Sequence, residues 1–217
     1  MVLRWQLPVV LAIVGLTALF SLRYSELRLE DEVEMWFSPD DPVLRTYNEF
    51  REIFPSDEFN LVAFETRPPL DGRELTHLLK LQTRLETVPY ISEVITLANV
   101  EDVVGSEDAL TVGPLIGEWP LSQDEILLAR ERIHVNPFIK GVLIAEDGRS
   151  LGVVLKVDRG MEEGKPDSDK SRIVSDEVQR ILREEERKTG RTYYFSGATV
   201  LDAEVSRIIE KDTDRFM

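Results

Sequence analysis

Cysteine is absent from the 217 residues of this chain. Disulfide bonds, thiol nucleophiles and cysteine-ligated metal sites are therefore excluded. Histidine is almost as scarce, and the chain has two, His77 and His134. Neither has a second His or Cys at metal-binding spacing. We expect both to be solvated or half-buried structural side chains, not metal ligands or general bases.

Basic residues are also in short supply. The chain has 26 Lys and Arg against 41 Asp and Glu, which gives a formal net charge of −15. No nucleic-acid partner is expected, because phosphate binding needs a basic surface. The same charge argues against broad contact with anionic lipid headgroups.

Signatures of catalysis are missing as well. The sequence contains no Gly-rich phosphate loop and no G-x-S-x-G element, and its carboxylates are scattered. We therefore expect no catalytic residue, no cofactor and no metal, and the chain is not expected to be an enzyme. The sequence does not indicate which residues bind a substrate.

The most apolar part of the chain is its beginning. Residues 5–22 carry no charged side chain, and at about 1.5 Å rise per residue such a helix approaches the thickness of a bilayer core. A cleaved signal peptide would need small residues at its exit, where Leu19, Phe20 and Leu22 stand instead. A core helix of a soluble domain is the third interpretation. An uncleaved membrane helix over residues 1–24 fits best, with the amino terminus in the cytoplasm.

Residues 25–57 are predicted to be an acidic connector followed by a short amphipathic helix. Asp40 and Asp41 could bind a cation, but they lack further ligands, and helix capping by Asp41 before Pro42 explains them better. Apolar side chains repeat at helical spacing over residues 42–54. These side chains are Val43, Tyr47, Phe50, Ile53 and Phe54.

Residues 58–198 are predicted to form one α/β domain. The predicted elements are a buried strand at 59–64, a helix from 71 to about 89, a strand at 91–97, a hairpin of strands at 138–145 and 151–157, a helix ending at Gly190, and a strand at 193–195. The repeated order of strand, helix and strand is typical of a ferredoxin-like split βαβ sandwich, which is an α+β fold. Residues 98–137 are rich in turn formers and are predicted to be an insertion with one helix, capped by Ser122 and Glu125. A final helix is predicted over residues 199–217.

A few side chains stand apart from these patterns. The charged run at 183–188 is predicted to be a solvated helix face with i,i+4 pairs such as Glu184–Lys188. Trp36, Trp119 and Phe138 lie outside the periodic stripes. Packing of the insertion and the connector is favoured for these three over a substrate-facing role.

Several short motifs, together with the first helix, resemble the first extracytoplasmic loop of the RND superfamily, and the MMPL-like predicted exporters in particular. The motifs include ISEVITLANV and YYFSGATVLDAEVSRIIEKD. An F-x-x-D-D-P element, a Tyr-x-x-Phe pair and a turn of the Phe-Gly-x-Asp-Glu kind also match, although Pro55 stands where the family more often has Gly. The matching positions are Phe37, Asp40, Asp41, Pro42, Tyr47, Phe50 and residues 54–58.

The resemblance implies a porter domain that binds or passes hydrophobic or lipid-like molecules outside the inner membrane. It also implies that the chain is an N-terminal fragment, with residues 199–217 leading to a second membrane helix. The implied partners are the lipid bilayer, the substrate, and the proton-driven remainder of the transporter with its further membrane helices and second porter domain. A monomer, a dimer or a larger homo-oligomer is compatible with this. The alternative is a membrane-anchored extracytoplasmic sensor or ligand-binding domain of a receptor.

Overall fold

The computed structural model describes residues 6–23, 37–38, 40–53, 59–105, 110–117, 119–158 and 167–216. It divides into two compact units, Met1–Glu49 and Phe50–Met217. The helices are α1 (Gln6–Arg23), α2 (Pro42–Ile53), α3 (Gly72–Leu85), α4 (Gln123–Val135), α5 (Asp167–Thr189) and α6 (Ala198–Phe216). The strands are β1 (Phe59–Glu65), β2 (Ile91–Ile95), β3 (Glu101–Gly105), β4 (Leu110–Pro114), β5 (Ser150–Val157) and β6 (Tyr193–Gly197). All strand pairs in the two sheets are antiparallel, and the predicted α+β class is confirmed.

The first unit contains α1, which has 18 residues. Its described apolar side chains are exposed, with Leu11 at 63% and Phe20 at 68%. Across the described part of the chain, no helix reaches both the length and the apolar character of a membrane span. A helix is thus present where the sequence predicts one, and its passage through a membrane stays a prediction.

The start of α2 follows from its capping residue. The Asp41 carboxylate accepts a hydrogen bond from the Val43 N–H at 2.8 Å, and the Asp41 N–H donates to the Ser38 carbonyl oxygen at 2.9 Å. The carboxylate therefore satisfies an amide group at the open end of the helix, as expected for an N-cap. Capping by Asp41 is confirmed.

The second unit is built on a four-stranded sheet in the order β2-β5-β1-β6. Strand β1 pairs with β5 on one side and with β6 on the other, so that Val62 faces both Val153 and Phe195. Helix α3 connects β1 to β2, and α5 connects β5 to β6. The predicted strand at 59–64 is confirmed, but it is only half buried, because burial alternates along β1 and Phe59 and Leu61 are exposed.

Two amphipathic helices cover the other face of this sheet. In α3 the buried apolar residues recur at helical spacing, and they pack with the inward side chains of β1, β2 and β5 in one core. Helix α3 ends at Leu85, before the predicted end near residue 89. The apolar residues that the two helices add to the core are Leu75, Leu78, Leu81, Leu85, Val174, Val178, Ile181 and Leu182.

The insertion at 98–137 contains more structure than the predicted helix. Helix α4 begins at Ser122 with a complete capping box, because the Ser122 and Glu125 side chains each accept a hydrogen bond from the other's N–H. The sequence prediction missed a β3–β4 hairpin, in which Val103 pairs with Val112. Gly105 and Gly113 lie within these strands. Glycines are typical of turns, so the sequence pattern does not indicate strands here.

The predicted strand at 138–145 is wrong. This segment forms turns, in which the N–H groups of Lys140 and Leu143 donate to the carbonyl oxygens of Asn136 and Ile139. The predicted turn before β5 is present, since the Gly148 N–H donates to the Ala145 carbonyl oxygen at 2.9 Å. Backbone groups used in the local turns are not available for a continuous ladder, and only isolated bridges form here.

The last helix, α6, confirms the predicted helix at the end of the described chain. Its Ala203 is buried, and Arg207 on α6 pairs with Asp176 on α5. Two apolar side chains of α6, Leu201 and Ile208, are exposed. A continuation of α6 into a second membrane helix stays a prediction.

The junction between β6 and α6 depends on one buried amide. The Asn60 amide group donates to the Thr199 hydroxyl at 2.9 Å, and the Thr199 N–H donates to the Asn60 side-chain oxygen at 3.2 Å. Gly197 lies against this amide with a φ of 148°. A Cβ at Gly197 would lie 2.3 Å from the Asn60 side-chain oxygen and 2.7 Å from its Cα. The junction therefore requires glycine for both its conformation and its space.

We predict that Gly197→Ala destabilises the protein by about 3 kcal/mol or more, because it adds a clash with Asn60 to backbone strain. The matched control is Gly190→Ala, where φ is 70° and no atom lies within 4 Å of the added Cβ. Strain alone should cost that variant about 1 kcal/mol. Thermal unfolding of both variants measures the difference. Equal losses of stability would show that the close approach to Asn60 is unimportant.

Candidate functional site

An apolar cleft of about 260 Å³ opens in the second unit. Its walls come from the segment after β1, from α4, and from the turns before β5. This volume corresponds to about nine water molecules at roughly 30 Å³ each. It lies just below the range of about 300–1,000 Å³ that is usual for small-molecule sites. The apolar lining consists of Pro68, Pro69, Leu70, Ile133, Ile144 and Ala145.

Hydrogen bonds to backbone carbonyl oxygens join the chain segments around the cleft. The Arg130 Nε donates to the Leu70 carbonyl oxygen at 2.5 Å, which joins α4 to the segment after β1. The Thr66 N–H donates to the Arg149 carbonyl oxygen at 2.8 Å, which joins that segment to the turn before β5. These contacts bring together three parts of the sequence that are far apart along the chain.

The polar groups of the cleft are mainly basic. Among the residues that the structure describes, Arg130, His134 and Lys140 line it, and Glu146 is the one acidic residue of the lining. Within the described ranges, the Arg130 and Lys140 side chains take part in none of the ion pairs, whereas Arg84, Arg191 and Arg207 all do. The chain as a whole has a net charge of −15. Its described cleft residues are mainly basic, which is opposite to the charge of the chain.

A second group of polar side chains, here named the polar clamp, consists of Glu74, His77, Arg191 and Tyr193. The Arg191 guanidinium binds both carboxylate oxygens of Glu74, one of them at 2.6 Å, and its Cζ lies 5.7 Å from the centre of the Phe64 ring. The His77 Nε2 lies 2.7 Å from the Tyr193 hydroxyl oxygen. The clamp thus ties α3 to the start of β6 above a core phenylalanine.

Burial and charge set the protonation of the clamp. Burial lowers the pKa of His77, and the nearby Arg191 cation lowers it further. Burial alone would raise the pKa of Glu74, but the Arg191 guanidinium holds it below its ordinary value. Burial raises the pKa of the Tyr193 hydroxyl. At neutral pH these shifts favour a neutral His77, an ionised Glu74 and a protonated Tyr193.

The polar clamp lacks the features of a catalytic site. Both carboxylate oxygens of Glu74 accept hydrogen bonds from Arg191, and the His77 and Tyr193 side chains share a hydrogen bond. None of these side chains lines the cleft. Among the residues that the structure describes, no group of three His, Cys, Asp or Glu residues is arranged to hold a metal ion.

The charged run at 183–188 departs from its predicted pairing. The predicted Glu184–Lys188 pair is wrong, because Lys188 binds Glu185 at 2.9 Å instead. Glu184 binds Arg180 at 2.8 Å, and both Glu184 and Glu185 bind Arg84 of α3. Glu185 is only 8% exposed, so this part of α5 is an interface with α3 and not a fully solvated face. Burial alone would raise the pKa of Glu185, but Lys188 and Arg84 lower it.

The remaining sequence expectations have mixed outcomes. His77 is half-buried in the clamp and His134 is exposed at the cleft, so the two histidines do not share a site. Trp119 packs against the core, as predicted. The predicted packing of Phe138 is wrong, since this side chain is 85% exposed. Trp36 lies outside the described residues.

Sequence reasoning did not find the residues that line the cleft. Arg130 and Lys140 lie ten residues apart with no motif around them, and the apolar lining comes from separate elements. Pro68 and Pro69, which follow the end of β1 after two residues, are a local signal of an irregular segment. No protein-family model matches the chain, and no curated protein matches it either. Proposals about function therefore rest on the sequence and on this geometry.

We predict that acidification from pH 8 to pH 5.5 destabilises the protein partly through His77. The folded state holds the His77 pKa below its ordinary value near 6.5. As the pH falls through that ordinary value, the unfolded chain takes up a proton that the folded chain does not, and stability is lost. The change His77→Gln should therefore flatten the dependence of the melting temperature on pH.

The comparison variant is His134→Gln, which removes the exposed histidine and controls for the loss of an imidazole in general. A lower melting temperature for His77→Gln at every pH, with an unchanged slope, would mean that His77 contributes packing only. The melting temperature is measured at half-unit steps of pH for all three proteins.

Proposed function

We propose that this chain is an extracytoplasmic porter domain of a proton-driven RND/MMPL-like transporter that exports lipid-like or hydrophobic molecules. The apolar cleft carries the proposal, because it gives a chain without catalytic signatures a place to hold part of a hydrophobic molecule. The proposed partners are the bilayer, the transported molecule and the remainder of the transporter.

The first helix supports a membrane location. Residues 5–22 lack charged side chains, and the apolar side chains described for α1 are exposed. A continuous exposed apolar surface is unfavourable in water and is usually covered by a partner or a membrane. We propose that the segment 1–24 anchors the chain in the inner membrane and that the rest lies outside the cytoplasm.

The architecture of the second unit supports the same class of protein. Strands β1, β2, β5 and β6, with helices α3 and α5, follow the order β-α-β-β-α-β. The sheet order β2-β5-β1-β6 places the first and third of these strands side by side at the centre. We propose a ferredoxin-like split βαβ sandwich, which is the fold that the resemblance implies.

A receptor's sensor domain is the second candidate function. The same cleft is close in size to a small-molecule site, and a sensor needs such a site without any transport step. The two functions differ in one measurable property, because only the transporter moves its ligand at the expense of a proton gradient.

The proposed location is tested by cysteine labelling, for which the cysteine-free chain is a clean background. We predict that Lys80→Cys, an exposed position on α3, reacts with a membrane-impermeant maleimide added outside intact inner membranes. Val2→Cys is the control and should react only after the membrane is permeabilised. Labelling of both positions from the outside would contradict the proposed anchor.

The proposed transport is tested by filling the cleft. Cells that produce the intact protein should accumulate less of a hydrophobic fluorophore than cells without it, and an uncoupler should abolish the difference. We predict that Ala145→Phe, which adds a ring inside the cleft, removes most of this effect. The control is Ala198→Phe at an exposed position outside the cleft, and it should retain the activity.

Two outcomes would count against the transporter. Binding of the fluorophore without uncoupler-sensitive accumulation would favour the sensor. Equal activity of Ala145→Phe and the unchanged protein would show that the cleft is not on the path of the molecule. The amount of each variant in the membrane is measured to separate lost function from lost protein.

A further inference from the structure

We propose that the cleft binds the anionic head and the first carbons of a single-chain amphiphile, with Arg130 and Lys140 at the head. The head is a carboxylate or a phosphate monoester, since both present oxygen atoms to basic side chains. The inference rests on the proposed function, because it names the class of molecule that the same cleft takes up.

The charge of the cleft selects an anion. Arg130 and Lys140 line it with no ion pair in the described part of the chain, although acidic residues outnumber basic ones by 41 to 26. His134 also lines the cleft, and Glu146 is the opposing acidic residue among those described. An anionic ligand supplies the counter-charge that these side chains lack, whereas a cationic head would be repelled.

The Arg130 side chain is held in a position to bind this head. Its Nε donates to the Leu70 carbonyl oxygen at 2.5 Å, which fixes the guanidinium group against the wall of the cleft. The two terminal nitrogens take part in no hydrogen bond within the described residues. A planar guanidinium with two available N–H groups matches the paired oxygens of a carboxylate or a phosphate.

The apolar lining accounts for the chain of the amphiphile. Leu70 and Ile133 line the cleft and are otherwise buried, with 6% of each exposed. Burial of the methylene groups of the chain against these side chains favours binding. The volume of about 260 Å³ is too small for a two-chain lipid, so only the head and a short length of one chain fit inside.

Photo-crosslinking of the full chain in phosphatidylcholine nanodiscs tests this inference. The probe is a decanoic acid that carries a diazirine on its alkyl chain, used at pH 8 so that the head is ionised. We expect saturable labelling of peptides that contain Ile133 or Ile144. Unlabelled decanoate and decyl phosphate should compete about tenfold better than decanol or decyltrimethylammonium. The more effective anion identifies the preferred head.

The head-group role of Lys140 is tested separately. Lys140→Gln should weaken labelling about fivefold, as expected for the loss of a partly solvated charge pair. Lys140→Arg should restore it, and the exposed Lys80→Gln on α3 should leave it unchanged. Melting temperatures close to that of the unchanged protein confirm that each variant is folded.

The remaining outcomes separate this inference from the proposed function. If decanol competes as well as decanoate and Lys140→Gln has no effect, the anion preference is overturned while a hydrophobic cargo stands. If none of the four compounds competes and labelling does not saturate, the cleft is not a ligand site and the proposed function loses its main support. Saturable labelling confined to other peptides would also overturn the inference.

Discussion

The central strand β1 is the constraint on which the second unit depends. It pairs on both sides, with β5 and with β6, and its inward residues Val62 and Phe64 lie in the core. Its first buried residue, Asn60, holds the start of α6, and Phe64 lies beneath the polar clamp. The wall of the cleft begins where β1 ends. A shift of one residue along β1 would turn all of these side chains to the opposite face.

Ion pairs join the helices and strands that pack around β1. Arg191 joins the start of β6 to Glu74 on α3, and Arg84 joins α3 to Glu184 and Glu185 on α5. These pairs hold the two helices against each other on one face of the sheet. They also neutralise carboxylates that would otherwise be partly buried without a partner. Arg84 is thus placed where two helices meet, and exposed pairs elsewhere add little.

Local patterns predicted most of the elements of this fold. The caps at Asp41 and Ser122 mark true helix starts, because a helix end must satisfy its own amide groups wherever it lies. Tertiary contacts explain one of the failures. Helical spacing predicts a Glu184–Lys188 pair, but Arg84 from another helix binds Glu184. The cleft was not predictable from sequence, since its lining comes from three separate segments.

The two polar groups of the second unit differ in how completely they are satisfied. In the polar clamp, Glu74 and Arg191 neutralise each other, and His77 and Tyr193 share a hydrogen bond. Buried groups satisfied in this way stabilise a fold and have little capacity left to bind anything else. The Arg130 and Lys140 side chains are basic, line an apolar cleft and form no ion pair among the described residues. A charged side chain next to apolar surface gains more free energy from an external partner than a paired one does. The cleft is therefore a better candidate for function than the clamp, although the pKa values of the clamp are perturbed.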